Sequence, residues 1–231
     1  MDLSSFKYRN LKKRLYDGSA AAWPICLGYI PIGLAFGVLA QKTGLTPLQI
    51  GLMSIFVFAG SSQFIAVSLL AGGASWLSIV ATTFTVNLRH LLMSSSLAVF
   101  LHRAPKGWLS LMAYGVTDES FAVNYIRFRG GAWGISQALA VNHLSNFVWV
   151  VSTVAGGYSG RYIPSGAFGI DYALMAMFIC LLAFQLRGAK HIWTGVISGG
   201  LATIFSILIP GNSYVILASI AAATIVVVFK R

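Results

Sequence analysis

Eight long apolar runs divide the chain. They are Ala21–Ala40, Leu48–Leu70, Trp76–Leu101, Trp108–Ile126, Trp133–Gly156, Phe168–Leu186, Ile192–Ile209 and Tyr214–Phe229. Runs of at least ~18 apolar residues read as bilayer-crossing helices, because a membrane interior satisfies backbone polar groups only within helices or closed barrels. The connections are short and marked by Gly and Pro, as in "TGLTP", "GGAS", "RAPKG", "RGG" and "PGN". No linker is long enough to separate soluble domains. The expected fold is therefore an all-α integral membrane protein with about eight transmembrane helices, or seven if one early run is re-entrant. Residues 1–20 form a basic leader and 21–231 a single membrane domain.

The charge content fits that class. Only 9% of residues are charged, against about 25% in a soluble domain, and mean hydropathy is +0.79. The net charge of +11 sits in short flanks between apolar runs. Topology explains this better than nucleic-acid binding. With the amino terminus in the cytoplasm and all runs spanning, Lys7, Arg9, Lys12, Lys13, Arg14, Arg127, Arg129, Arg187, Lys190, Lys230 and Arg231 fall inside. Lys42, Arg103, Lys106 and Arg161 fall outside. The leader is too polar for the apolar core of a cleavable signal and is expected to lie at the cytoplasmic surface. Cys26 and Cys180 lie within spans, without metal-ligand spacing, and read as small buried residues.

Polar groups inside the runs are the candidate functional residues. Arg89 lies about 12 residues from either end of the third run, too deep to snorkel. At 100° per residue, Thr83, Asn87, His90 and Ser94 share one helical face. Thr82, Thr85, Arg89 and Ser96 share a nearly opposite face. Such a helix is either enclosed by protein or broken near Asn87 beside a wet cavity. The "GVTDES" stretch of the fourth run supplies Asp118 and Glu119. One is a partner for Arg89, and the other is a candidate proton carrier facing a cavity. The alternative makes "TDES" a helix start, with Thr117 or Asp118 as N-cap. Either role suits a discontinuous transporter helix.

In the second run, Gly60, Ser61, Ser62 and Gln63 weaken the helix and free backbone groups for a ligand, or else pack closely against a neighbouring helix. In the fifth, Asn142, Ser145, Asn146 and Thr153 form a stripe that either glues helices or lines a path. In the first, Pro31 is a candidate kink, and Gly33 and Gly37 form a G-x-x-x-G contact face. An echo between Leu52, Met53, Phe56, Gln63 and Leu174, Met175, Phe178, Gln185 hints at an internal repeat. No P-loop, G-x-S-x-G, H-E-x-x-H or Cys/His cluster occurs, so an enzyme is the least expected class and no cofactor is implied. A gradient-driven carrier, a channel and a non-transporting membrane subunit remain. The depth of Arg89, Asp118 and Glu119 argues against the last.

These motifs carry a family resemblance. "GYIPIGLAFGVLA", "FAGSSQFIAVSLL", "TVNLRHLLMSSSLA" and "YGVTDESFAV", in that order, resemble the AzlC family of branched-chain amino acid exporters. The resemblance is strongest over Pro24 to Tyr125. It implies a multi-pass permease of the bacterial inner membrane that exports leucine, isoleucine or valine, sometimes methionine, with a small AzlD-like membrane subunit. On that reading Arg89, or a helix start near Ser61, meets the substrate carboxylate. Asp118 or Glu119 meets the ammonium or carries a proton. Phe58, Phe64 and Phe84 are nearby candidates for an apolar pocket.

Overall fold

A computed structural model describes residues 3–163 apart from 103 and 132, residues 189–208, and positions 172, 176, 179, 183, 221, 224 and 225. The elements are α1 (Leu3–Lys42), α2 (Pro47–Phe56), α3 (Gly60–Ala71), α4 (Trp76–Ala98), α5 (Lys106–Tyr114), α6 (Asp118–Arg129), α7 (Ile135–Ser159), a 3-10 turn (Gly160–Tyr162) and α8 (Ala189–Leu208). No strand occurs among the described residues. The expected all-α class holds. The first, third, fifth and seventh apolar runs appear as the long helices α1, α4, α7 and α8. Leu11–Lys42 and Ile135–Tyr162 are long and apolar enough to cross a membrane. The sixth and eighth runs, with Asp171, Cys180 and the second half of the Leu52–Leu174 echo, lie mainly outside the described residues.

Helices α1 and α7 pack against each other along their length, and small residues make this possible. A Cβ on Gly37 would overlap the Thr153 carbonyl oxygen, and one on Gly156 would overlap the Leu34 carbonyl oxygen. The expected Gly33/Gly37 contact face is therefore real, with α7 as its partner. Helix α1 runs unbroken through Pro24 and Pro31 and includes most of the basic leader. Beside this pair lies an aromatic core. Trp149 packs edge-on to Tyr29 at 5.3 Å and stacks on Phe36 at 6.0 Å, and Phe36 meets Phe64 at 5.1 Å.

The second and fourth runs are each split into two helices, so both are discontinuous, and the helix-start alternative for "TDES" is the one realised. Helix α2 starts at a capping box in which Thr46 Oγ1 accepts from the Gln49 amide, and Pro47 occupies the first turn, where no amide is needed. It stops at Phe56, and the chain is extended by Ala59 (φ −151°, ψ 84°). The break falls just before Gly60–Gln63, which form the first turn of α3. Helix α5 stops at Tyr114. Thr117 then starts α6 through a capping box, its Oγ1 accepting from the Ser120 amide while its own amide donates to Ser120 Oγ. The N-cap role for Thr117 is thus the correct one. The Tyr114 hydroxyl donates to the Ile55 carbonyl, taking up an acceptor in the last turn of α2.

Helix α4 is continuous, so of the two alternatives the break near Asn87 is not realised, and the breaks lie in the two spans beside it. Its second polar face is enclosed only in part: Thr82 is buried and Arg89 faces the neighbouring breaks, while the exposed hydroxyls are satisfied within the helix. Thr85 and Ser96 donate to the carbonyls of Ala81 and Leu92 in their own helix, and Thr83 does so to Ile79. Phe84, Leu88, Leu91 and Leu92 are exposed on its outer side.

The two broken spans repeat one layout: their first halves start 59 residues apart, at Pro47 and Lys106, and from the ends of those halves onward the displacement is 58. Phe56 and Tyr114 end the first halves, Ala59 and Thr117 are the N-caps, and Ala71 and Arg129 end the second halves. The hydrogen bonds repeat too. Gly72 bonds to the Ser68 carbonyl as Gly130 does to Ile126, and Gly73 to Leu70 as Gly131 does to Phe128. Gly73 and Gly131 both take positive φ, +69° and +80°, a conformation that strains other residues. One extra residue follows in the second copy, so the N-cap of α4, Ser75, corresponds to that of α7, Gly134, at a displacement of 59.

Candidate functional site

The two breaks and the middle of α4 converge on one cavity of about 50 Å³. The first break contributes Phe58, Ala59, Gly60 and Ser61, and the second Thr117, Asp118 and Glu119. Helix α4 adds Arg89 and His90, α1 adds Tyr29 and Ile32, and α7 closes it with Trp149.

Arg89 joins both helix starts. Its Nη1 pairs with Asp118 Oδ2 at 2.7 Å, and its Nη2 donates to Ser61 Oγ. Its Nε is buried without a hydrogen-bond partner. Two residues earlier, Asn87 Oδ1 accepts from Ser62 Oγ. The expected Arg89–Asp118 pair is therefore present. Glu119 is held differently. The Tyr29 hydroxyl lies 2.8 Å from Glu119 Oε2, to which it donates, and 2.9 Å from Thr117 Oγ1. Tyr29 is 7% exposed, so that hydroxyl depends on these two partners.

The two helix starts differ chemically. Ala59 caps α3 without a side-chain acceptor, so the first-turn amides of α3 remain available beside the cavity. The N-terminal end of a helix carries partial positive charge. The start of α6 is already capped by Thr117 and carries two carboxylates in its first turn. Against these two carboxylates the cavity lining sets one guanidinium. The site offers donors on the α3 side and, on the α6 side, a carboxylate (Glu119) without a cationic partner among the described residues.

Of the residues expected at the site, Gly60, Ser61, Arg89, His90, Asp118 and Glu119 line the cavity, and Asn87 and Ser62 support it from behind. Gln63, Asn142 and Asn146 do not line it. Gln63 is fully buried in a chain of hydrogen bonds, accepting from Trp149 Nε1 (2.9 Å) and donating to Ser54 Oγ (3.1 Å), which in turn meets Thr153 at 2.8 Å. Asn142 donates to the Met112 carbonyl near the end of α5 (3.1 Å) and accepts from Asn124 (2.9 Å). Asn146 Nδ2 is buried and unpaired. For Gln63 and Asn142, the gluing alternative is the one realised. Of the three phenylalanines, Phe58 alone faces the cavity. Phe64 packs into the core against Phe36, and Phe84 is 67% exposed.

Tyr29 is the main residue that reading along the chain misses. One signal existed: a phenolic hydroxyl deep in an apolar run needs a partner. No cluster of His, Cys, Asp and Glu able to hold a metal occurs among the described residues.

Comparison with known proteins places these residues in a lineage. The family model described as AzlC protein matches residues 24–163. The branched-chain amino acid transport protein AzlC of Bacillus subtilis (strain 168) is 29% identical over 212 residues, covering 90% of this chain and 82% of its own. The inner membrane protein YgaZ of Escherichia coli (strain K12) is 31% identical over 202 residues, covering 83% and 82%. An uncharacterized membrane protein of Archaeoglobus fulgidus is 31% identical over 195 residues, covering 83% and 84%. No solved structure matches.

Proposed function

This chain belongs to the AzlC protein family of helical membrane proteins, and on that premise we propose that it is a secondary transporter of branched-chain amino acids. On this reading it exports leucine, isoleucine and valine, with methionine a further candidate, across a bacterial inner membrane. Export is coupled to protons and assisted by a small AzlD-like membrane subunit. The amino terminus faces the cytoplasm.

One observation carries the reading: Arg89 bridges two interrupted helices beside a carboxylate, Glu119, that has no cationic partner among the described residues. A zwitterion needs donors for its carboxylate and an anion for its ammonium. The uncapped start of α3, with Ser61 and Arg89, suits the first. Arg89 and Asp118 offset each other, which leaves Glu119 for the ammonium or for the coupled proton. Discontinuous helices presenting their N-termini to an anionic substrate group are a recurrent transporter device. The small cavity also suits a carrier in an occluded state better than an open pore.

The test is counterflow of labelled leucine in proteoliposomes holding the full chain, with and without the small subunit. Saturable uptake that responds to an imposed proton gradient, and is abolished in Arg89→Gln and Glu119→Gln, supports the carrier. Flux that rises linearly with leucine concentration supports a channel. Undiminished transport in both variants overturns the site assignment.

A further inference from the structure

We propose that the apolar groove between α4 and α5 holds the substrate's branched side chain and sets its permitted size; this rests on the transporter reading above.

The polar cavity has room for a few waters or for the charged ends of an amino acid, and none for an aliphatic side chain. One helical turn further along α4, and one residue before Thr117, a second cavity of about 250 Å³ opens. Its walls are Leu97, Leu101, Leu109, Met112 and Val116, with Ser94 at its edge. The groove by itself comes close to the low end of ligand sites, roughly 300 Å³. A small set of polar groups at one end of an apolar recess is the usual form of such sites.

The duplication shows that this recess is not forced by the fold. The corresponding interface in the other copy lies between α2 and α7. There Ser54 meets Thr153 at 2.8 Å, and Gly51 lies directly against Val154. The corresponding positions are Met112, Ser94, Leu109 and Ser95, and all four line the open groove. One copy has closed its interface and the other keeps it open, next to the charged centre. Empty apolar volume weakens packing, so an interface that can close yet stays open calls for an occupant. Its apolar walls and its place beside the charged cavity, where Val116 of the groove adjoins Thr117 of the cavity, make the aliphatic side chain of an amino acid that occupant.

The experiment compares leucine, valine, alanine and phenylalanine as competitors of labelled leucine in the proteoliposome assay, using full-length variants that remain monodisperse. Leu109 is only partly buried, so substitutions there are tolerable. Leu109→Trp fills the groove. It is expected to weaken leucine relative to alanine at least tenfold, since each methylene in an apolar pocket is worth roughly tenfold or more in selectivity. Leu109→Ala enlarges the groove and is expected to make phenylalanine a better competitor than it is with the wild type. An unchanged ranking in both variants, with leucine still transported, overturns the pocket and leaves a lipid-filled crevice. Wild-type protein that moves none of the four overturns the transporter reading and the pocket with it.

Discussion

Arg89 and Asp118 meet at 2.7 Å, one in the middle of an unbroken helix and the other in the first turn of an interrupted one. The same guanidinium reaches Ser61 at the other interruption. One side chain thus joins both copies of the duplicated broken span. Removing it should uncouple them.

Arg89→Gln leaves Asp118 without its cation, whereas Arg89→Gln with Asp118→Asn removes both charges. Breaking one side of such a pair costs more than replacing both. Both side chains are about one-third exposed (31% and 37%), so the single variant should lose about 1–3 kcal/mol rather than the larger figure for a fully buried pair. Thermal unfolding in detergent should rank wild type first, the double variant second and the single variant last. A double variant less stable than the single would contradict this.

Tyr29→Phe keeps the ring packing with Trp149 and Phe58 and removes only the hydroxyl. Hydrogen bonds to charged groups contribute about 1.5–3 kcal/mol, and here the acceptor is Glu119. Leucine transport should fall about tenfold or more, with protein yield little changed. Transport rates normalised to reconstituted protein decide the matter, and wild-type rates would remove Tyr29 from the site.

Thr117→Ala removes the N-cap of α6, and Thr117→Ser keeps it. Losing a cap costs about 0.5–2 kcal/mol. Both stability and transport should drop in the alanine variant and largely recover in the serine variant. Equal loss in both would mean that the methyl group, not the hydroxyl, matters.

Gly28 and Gly37 lie nine residues apart on α1 and should respond oppositely to alanine. A Cβ on Gly28 meets nothing within 4 Å, so Gly28→Ala should raise stability by about 0.5–1 kcal/mol through helix propensity. Gly37→Ala drives a methyl into the α7 backbone and should abolish folded protein or shift its melting temperature sharply down. Size-exclusion profiles and melting curves separate the two.

Much of the site is legible along the chain because charges in an apolar run demand partners. Arg89 requires an anion, Asp118 is the nearest one in sequence, and the pair forms. Neutral polar groups carry no such demand in a definite direction. Gln63 and Asn142 look as suitable for a ligand as Ser61 does. Only packing shows that Gln63 serves Trp149 and Ser54, and that Asn142 serves the carbonyl of Met112. Tyr29 escapes notice for the same reason, since Glu119 lies 90 residues away.

The chain's own chemistry therefore determines the membrane class, the helical fold and the charged trio of Arg89, Asp118 and Glu119. Insertion into a bilayer acts on local hydrophobicity and local charge, and both can be read residue by residue. The tertiary structure decides where the spans break, which polar residues face the cavity, and that the two broken spans share one layout. Those features depend on backbone and side-chain groups finding partners across helices, as the Ile55 carbonyl finds the Tyr114 hydroxyl. No local pattern specifies such a partner in advance.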